Sequence, residues 1–174
     1  MFFSMEYESP IGKCLLVSDK KHLVGLWFEG QKYYCSLKES IQNTDSCDIL
    51  ERTKVWLDSY FAGNQPEVSE LPLRPIGSEF RQQVWQILTE IPYGEVMTYG
   101  EIARIIAQRN HIEKMSAQAI GGAVGHNPIA IIIPCHRVVG ANGSLTGYAG
   151  GLEKKRWLLQ HEGERLIGQK VRMQ

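Results

Sequence analysis

A cysteine and a histidine stand side by side in the stretch IPCHRVVG, which covers residues 133–140. The thiolate of Cys135 would be a strong nucleophile, and His136 is a base that titrates near neutral pH. In an extended segment, neighbouring side chains point to opposite faces, so we expect no direct contact between these two residues. A bridging water is the connection that we expect between them.

The candidate nucleophile needs help to lose its proton, because an ordinary cysteine is mostly protonated at neutral pH. His136 can accept that proton if a carboxylate orients its ring and stabilises its charged form. Glu162, in QHEGE at the end of the last predicted helix, is the candidate carboxylate. Each residue taken alone also has an ordinary structural interpretation, as a core cysteine or a surface glutamate.

Three kinds of chemistry are open to an activated Cys135. A protease-like hydrolase would form a thioester, and it needs an oxyanion hole. A thiol oxidoreductase would need a resolving cysteine nearby, and the sequence has none there. Attack on an alkyl carbon would leave a stable thioether after a single turnover.

The remaining cysteines are Cys14, Cys35 and Cys47, and their spacing is not that of zinc ligands. We therefore expect neither a metal nor a cofactor.

Composition limits the classes of protein to which the chain can belong. Its 174 residues contain no apolar run near the roughly 20 residues of a membrane span. The N-terminus lacks the pattern of a secretory signal, so we expect the protein to stay in the reducing cytoplasm. We also expect it to be a monomer. Residues 1–77 hold 8 basic and 11 acidic residues, a net −3, and residues 78–174 hold 11 and 8, a net +3. The charge of the second half favours an anionic partner.

The elements that must position these residues fall into two groups, which predicts an α+β protein. Residues 1–74 are expected to form a subdomain of strands and one helix, with Asp48 as the N-cap and Gly63 as the stop of that helix. A proline-containing linker without helical periodicity follows. Residues 75–174 are predicted to be mainly helical, with helices over SEFRQQVWQILTEI, TYGEIARIIAQ, SAQAIGGAVGHNP and GLEKKRWLLQH.

The second and third of these helices suggest a helix-turn-helix with a long connection. The helix from Ser116 contains Gly121 and Gly122, each of which costs up to ~1 kcal/mol in a helix relative to alanine. Two interpretations explain such small residues. Either the helix packs closely against another helix of the protein, or a nucleic-acid backbone approaches it.

Several segments in order resemble the O6-alkylguanine-DNA alkyltransferase family: PYGEVMTYGEIA, GGAVGHNP, IPCHRVVG, YAGG and LLQHEG. The resemblance covers about half of the chain, from Phe80 to Gly163. It implies repair of alkylated guanine in double-stranded DNA, by irreversible transfer of the alkyl group to Cys135. Activity on O4-alkylthymine stays open. The first half resembles the family only in general pattern, as a small subdomain of ribonuclease-H-like type.

The resemblance also implies roles for individual residues. His136 and Glu162 match the pair that activates the acceptor through water, and Asn127 matches a residue that braces the turn before the active-site strand. Tyr99 matches a tyrosine that rotates the 3′ phosphate and contacts the flipped guanine. The residues that would line the pocket or face the substrate are Arg137, Val138, Tyr148 and Ala149, although Arg137 resembles a structural residue.

Contact with the minor groove is implied for the helix from Ser116, because bulky side chains could not approach it. The residues concerned are Ser116, Ala117, Gln118, Ala119, Gly121 and Gly122. Gln118 stands where the family usually has an arginine that fills the gap left by the flipped base, and Ala149 stands where a serine is common. Two rival hypotheses are a DNA-binding module or regulator without transfer activity, and a papain-like hydrolase.

Overall fold

The computed structural model describes residues 1–43 and 46–173, which form two compact units. One unit contains the described residues from 1 to 76 together with residues 128–132. The other contains residues 77–127 and the described residues from 133 onward. No helix in the described part of the chain has the length and apolar character needed to cross a membrane.

A four-stranded sheet is the centre of the first unit. Its strands are β1 (Phe2–Ser9), β2 (Gly12–Ser18), β3 (Leu23–Phe28) and β4 (Ile41–Asn43), in the spatial order β3-β2-β1-β4. β1 and β3 pair antiparallel with β2, and β4 pairs parallel with β1. Gly25 is required within β3, because a Cβ atom there would lie 2.0 Å from the ring of Trp27.

The helix of this unit, α1 (Asp48–Phe61), packs against β1, β2 and β3. It buries a single face at helical spacing: Ile49, Leu50, Thr53, Trp56, Leu57 and Tyr60. Gly63 follows it with φ +94°, as expected for a residue that ends a helix. The predicted N-cap was wrong by one residue, because Cys47 has the extended backbone of a cap and Asp48 is already helical.

Two further segments run beside β3 in the first unit. Leu23 N donates to Pro72 O at 2.8 Å, and Leu26 N donates to Pro128 O at 2.8 Å. Ala130 N in turn donates to Leu26 O at 3.0 Å. Residues 128–132 therefore belong to this unit through backbone pairing, although they are distant in sequence from the rest of it.

Three helices form the framework of the second unit: α2 (Glu79–Thr89), α3 (Tyr99–Arg109) and α4 (Ala117–Gly125). Each follows an N-cap residue whose side-chain hydroxyl accepts a hydrogen bond from a backbone N–H in the first turn, and these caps are Ser78, Thr98 and Ser116 respectively. The indole N–H of Trp85 on α2 donates to Ala123 O on α4 at 2.9 Å. Residues 110–116 connect α3 to α4.

Short strands and one more helix complete the second unit. β5 (Met97–Thr98) pairs parallel with β6 (Val138–Val139), α5 (Leu152–His161) follows, and β7 (Leu166–Ile167) pairs with β8 (Lys170–Val171). Val139, Leu145, Leu159 and Val171 form a buried cluster that ties the last hairpin to the loop before α5. Leu145 N also donates to Gln169 O at 2.8 Å.

Candidate functional site

The segment that contains the cysteine and the histidine is not extended, contrary to the sequence-based expectation. Cys135–Arg137 form one turn of 3₁₀ helix after Pro134, and Cys135 N donates to Ile133 O at 2.8 Å. The argument that neighbouring side chains point to opposite faces of a strand therefore does not apply here. All three residues of the turn are buried, and Cys135 is 7% exposed.

Glu162 follows α5 directly and accepts hydrogen bonds from two residues of this turn. His136 Nε2 lies 2.6 Å from Glu162 Oε2, Arg137 Nε lies 2.7 Å from Oε1, and Arg137 Nη2 lies 3.2 Å from Oε2. Burial by itself would raise the pKa of Glu162. The opposing effects of His136 and Arg137 are larger in sum and hold that pKa well below its usual range.

This ionised carboxylate decides which nitrogen of His136 bears the proton. An ionised carboxylate can only accept hydrogen bonds, so Nε2 must donate and a neutral imidazole keeps its lone pair on Nδ1. Burial lowers the pKa of His136, and this outweighs the opposing effect of Glu162, which favours the neutral ring. Nδ1 is buried and has no hydrogen-bond partner among the described residues, so it is available as a base.

Arg137 is directed into the unit rather than toward its surface. Besides Glu162, its Nη1 donates to Ile91 O at 2.7 Å, and its guanidinium lies 5.7 Å from the centre of the Tyr93 ring. A DNA contact would require these buried bonds to break. The structure therefore corrects the inclusion of Arg137 among substrate-facing residues and supports the structural role that the resemblance implies.

The environment of Cys135 contains opposing influences on its thiol. Burial raises its pKa, and the side chains of Asn127, Lys155 and Tyr148 act in the other direction. Asn127 also donates from Nδ2 to Ile133 O at 2.8 Å and so braces the backbone just before the 3₁₀ turn. Burial has the larger effect, so the pKa of Cys135 lies above its ordinary value and the thiol needs a base to lose its proton.

A loop before α5 lies beside the thiol. Tyr148 on this loop interacts with Cys135, and Gly151 N donates to Tyr148 O at 2.9 Å. Tyr99, the first residue of α3, is held to the same loop by a hydrogen bond with the side chain of Thr146. Val138 is buried in β6 directly after the 3₁₀ turn, and Ala149 is half-buried in the loop.

The adjacent glycines of α4, Gly121 and Gly122, do not serve close packing within the protein. A Cβ atom on Gly122 would meet no atom within 4 Å, and one on Gly121 would meet only the Tyr99 ring at 4.0 Å. The first turn of the helix is exposed to solvent: Ser116, Ala117, Gln118 and Ala119. These observations favour the approach of a partner over the helix-packing interpretation.

Sequence reasoning missed one residue of this site. Lys155 on α5 is fully buried, and its Nζ donates to Thr146 O at 3.0 Å and to Gly147 O at 3.3 Å. The available signal was its spacing, because Lys155 precedes the buried Leu158 and Leu159 by three and four residues on one helix face. Within residues 1–43 and 46–173, no cluster of three or more His, Cys, Asp or Glu is placed to hold a metal ion.

Comparison with known proteins gives matches for both units. Residues 5–75 match the family described as 6-O-methylguanine DNA methyltransferase, ribonuclease-like domain. Residues 79–164 match 6-O-methylguanine DNA methyltransferase, DNA binding domain. These matches cover most of the described chain.

Individual relatives agree with these matches. A methylated-DNA–protein-cysteine methyltransferase of Mycobacterium bovis is 54% identical over 159 residues, which cover 91% of this chain and 90% of the relative. One from Haemophilus influenzae is 43% identical over 156 residues, which cover 90% of this chain and 83% of the relative. The crystal structure of Mycobacterium tuberculosis O6-methylguanine methyltransferase matches with a TM-score of 0.80 at 39% identity, and the match covers 97% of this chain and 96% of that one. The structure of Mycobacterium tuberculosis OGT in complex with DNA matches with a TM-score of 0.77 at 40% identity, covering 92% of each chain.

Proposed function

Because this chain belongs to the 6-O-methylguanine DNA methyltransferase family, which repairs alkylated DNA, we propose that Cys135 accepts the alkyl group and that His136 and Glu162 activate it. The protein transfers the alkyl group from O6-alkylguanine in DNA to its own cysteine. The observation that best supports the proposed roles is the buried His136–Glu162 pair, with Nδ1 of the histidine available beside the 3₁₀ turn of the cysteine.

Activation begins with removal of the thiol proton. Glu162 holds Nε2–H of His136, so Nδ1 is the basic nitrogen. A water molecule between Nδ1 and the Cys135 sulfur would take the proton from the thiol and pass it to the imidazole. The ionised Glu162 stabilises the imidazolium that forms, and Arg137 keeps this carboxylate ionised.

Transfer is a nucleophilic displacement at the alkyl carbon. The thiolate forms the new S–C bond while the C–O6 bond breaks, and its electron pair stays with the guanine oxygen. The guanine then takes up a proton, which balances the proton lost by the thiol. The product at Cys135 is a thioether, which water does not cleave at neutral pH, so each protein molecule acts once.

Access to the base requires the alkylated nucleotide to leave the duplex. We assign contact with the minor groove to α4, whose exposed first turn and open glycines allow close approach. Gln118 would fill the space left by the flipped nucleotide, and Tyr99 would assist rotation of its phosphate. Tyr148 and Ala149 would line the alkyl pocket, and the backbone of Val138 would contact the guanine.

The test of the acceptor role is the intact mass of the protein after incubation with a duplex that contains O6-methylguanine. We expect a gain of one methyl group, mapped by peptide analysis to Cys135, and none in Cys135→Ser. Cys47→Ser is the matched control and should gain the methyl group as the wild type does. A methyl group on Cys14, Cys35 or Cys47 would overturn the assignment, and no gain with retained DNA binding would favour a regulator.

The division of labour in the chain is also part of the proposal. Residues 1–74 act as a supporting subdomain, and residues 75–174 bind DNA and contain the acceptor. We also propose that the protein acts as a monomer in the reducing environment of the cytoplasm. Sedimentation of the free protein tests the oligomeric state, and a dimer would contradict it.

A further inference from the structure

The β7–β8 hairpin, residues 166–171, lies against the segment that leads from β6 to the loop before α5. Leu145 N in that segment donates to Gln169 O at 2.8 Å, and Ser144 pairs antiparallel with Lys170. The match to the DNA binding domain of the family ends at residue 164. The hairpin and its contacts are therefore a feature of this chain that the family match does not explain.

Gly143 is the point of closest approach between this segment and the hairpin. Its φ is +80°, and a Cβ atom there would lie 2.3 Å from Val171 O. That distance is far inside the roughly 3.5–4 Å of favourable non-bonded contact. Any side chain at this position would force the segment and the hairpin apart, so the glycine is what permits them to pair.

The hairpin is itself held in place from two other directions. Val171 is 2% exposed and belongs to a buried cluster with residues of β6, the supported segment and α5: Val139, Leu145 and Leu159. The side chain of Arg156 on α5 donates to Gly168 O in the turn of the hairpin. The hairpin is therefore a fixed support for residues 143–145.

The supported segment continues directly into the loop that we assign to the alkyl pocket. Thr146, the next residue, shares a hydrogen bond with Tyr99, and Tyr148 interacts with Cys135. Three residues of chain from Leu145 to Tyr148 span at most about 11 Å, so little chain is available to absorb a displacement. A shift of Leu145 therefore changes the position of Tyr148 relative to the thiol.

We propose that the β7–β8 hairpin determines which alkyl groups the pocket accepts, with Gly143 and Val171 as the positioning residues. The proposal rests on the function proposed above and deepens it. A fixed loop holds a methyl group in line with the thiolate and leaves little room for a bulky group. A loosened loop positions the small group poorly and admits the bulky one at lower steric cost.

The first test compares transfer from duplexes that contain O6-methylguanine or O6-benzylguanine. In Gly143→Ala the methyl rate should fall by about 10²-fold, the cost of a misplacement of about 1 Å. The benzyl rate should fall less, so the benzyl-to-methyl ratio should rise about tenfold. An unchanged ratio in folded Gly143→Ala would overturn the proposal.

Gly63→Ala is the matched control for backbone strain. Gly63 has φ +94°, and a Cβ atom there would meet no atom within 4 Å. This variant therefore introduces a similar strain without a collision, and it should keep the wild-type ratio of the two rates. A ratio raised equally in Gly63→Ala and Gly143→Ala would mean that strain alone causes the change, which would also overturn the proposal.

A milder pair of variants covers the case in which Gly143→Ala fails to fold. Val171→Ala removes the hairpin side chain from its buried cluster, and Val24→Ala makes the same change at a residue of the first unit that is 1% exposed. Both variants should unfold at lower urea concentration than the wild type. Only Val171→Ala should raise the benzyl-to-methyl ratio. Equal ratios in the two variants would mean that the hairpin contributes stability alone.

A further measurement does not depend on alkyl transfer. Hydrogen exchange followed by NMR should be faster in Gly143→Ala than in Gly63→Ala at Leu145 N, which donates to the hairpin, and at Gly151 N, which donates to Tyr148 O. Equal exchange at both amides in the two variants would overturn the proposal.

The failure of this proposal is distinguishable from that of the proposed function. Absence of a methyl group on Cys135 in the mass experiment would remove the acceptor role, while the exchange measurement would still show whether the hairpin holds the loop. Conversely, normal methyl transfer with an unchanged ratio and unchanged exchange in Gly143→Ala would leave the acceptor role intact and remove the role of the hairpin.

Discussion

In the described part of the chain, each unit contains a place where a carboxylate, a histidine and an arginine meet. In the first unit, Asp19 Oδ2 lies 3.2 Å from His22 Nδ1 and 2.9 Å from Arg74 Nη1. In the second unit, Glu162 makes the corresponding contacts with His136 and Arg137 at 2.6 and 2.7 Å. The residue types and distances are similar, and the second group lies beside Cys135, the proposed alkyl acceptor.

Burial distinguishes the two groups. The side chains of His22 and Arg74 are 39% and 58% exposed, whereas those of His136 and Glu162 are fully buried. Asp19 also accepts hydrogen bonds from the backbone N–H groups of Lys21 and His22, and so stabilises the turn between β2 and β3. The comparison indicates that burial, and not the kinds of side chain, distinguishes the group to which we assign proton transfer from the group on the turn.

The largest expected difference is in the rate of transfer. His136→Gln should lower the second-order rate with an O6-methylguanine duplex by about 10²–10⁴-fold, the usual contribution of a general base. His22→Gln should leave the rate unchanged within about twofold, because its group lies on an exposed turn. Loss of radioactive methyl from the duplex measures both rates. Equal rates in the two variants would break the distinction between the groups.

The next largest difference is expected in the free energy of unfolding, which should depend more on Glu162 than on Asp19. Glu162→Ala leaves Arg137 buried without its anion, which should reduce the free energy of unfolding by about 3–5 kcal/mol. Asp19→Ala removes an exposed ion pair and two turn hydrogen bonds, so the loss should be about 1–2 kcal/mol. Urea unfolding at pH 7 gives both values. A loss at Glu162 no larger than at Asp19 would contradict the effect that we assign to burial.

Acid titration sharpens the same comparison. Burial acts to raise the pKa of Asp19, but hydrogen bonds from His22, Arg74 and Lys21 lower it to about 2 from its ordinary 3.8. A depressed carboxyl pKa stabilises the fold above the ordinary pKa, and this contribution is lost as the pH falls through the folded value. The stability advantage of the wild type over Asp19→Asn should therefore be constant above about pH 5 and disappear near pH 2.

For Glu162 the ordinary pKa is 4.5, and the folded value lies further below it. The stability advantage of the wild type over Glu162→Gln should begin to fall below about pH 5. It should still be present at a pH where the stability advantage over Asp19→Asn has disappeared. Urea midpoints measured from pH 2 to pH 6 compare the two. If both advantages disappear at the same pH, the stronger coupling of Glu162 is refuted.

The smallest effect is expected outside both groups, at the exposed Gln118 on α4. Gln118→Ala should slow transfer from duplex DNA several-fold and leave transfer from free O6-methylguanine base nearly unchanged, because a free base needs no flipping. Gln118→Arg should keep or raise the duplex rate, because a guanidinium can stack and also meet phosphate charge. Inactivation rates on both substrates measure this. Equal slowing on both would mean that Gln118 supports the fold.

The sequence by itself determined the local elements and the family. The starts of α3 and α4 followed from Thr98 and Ser116, because a cap is a hydrogen bond between residues two or three apart and needs no tertiary context. The end of α1 followed from Gly63 for a similar reason, because a glycine with positive φ ends a helix locally. The candidate acceptor Cys135 and its carboxylate Glu162 were also recognisable from PCHR and LLQHEG.

Only the tertiary structure decided the surroundings of that cysteine. The hydrogen bonds of His136 and Arg137 with Glu162 join segments that are 26 and 25 residues apart, and the burial of Lys155 depends on how the whole unit packs. No local pattern predicts them, because the free energy of a buried charge depends on which groups the whole fold packs around it. The same reason separates Glu162 from Asp19, since burial distinguishes two groups that each consist of a carboxylate, a histidine and an arginine.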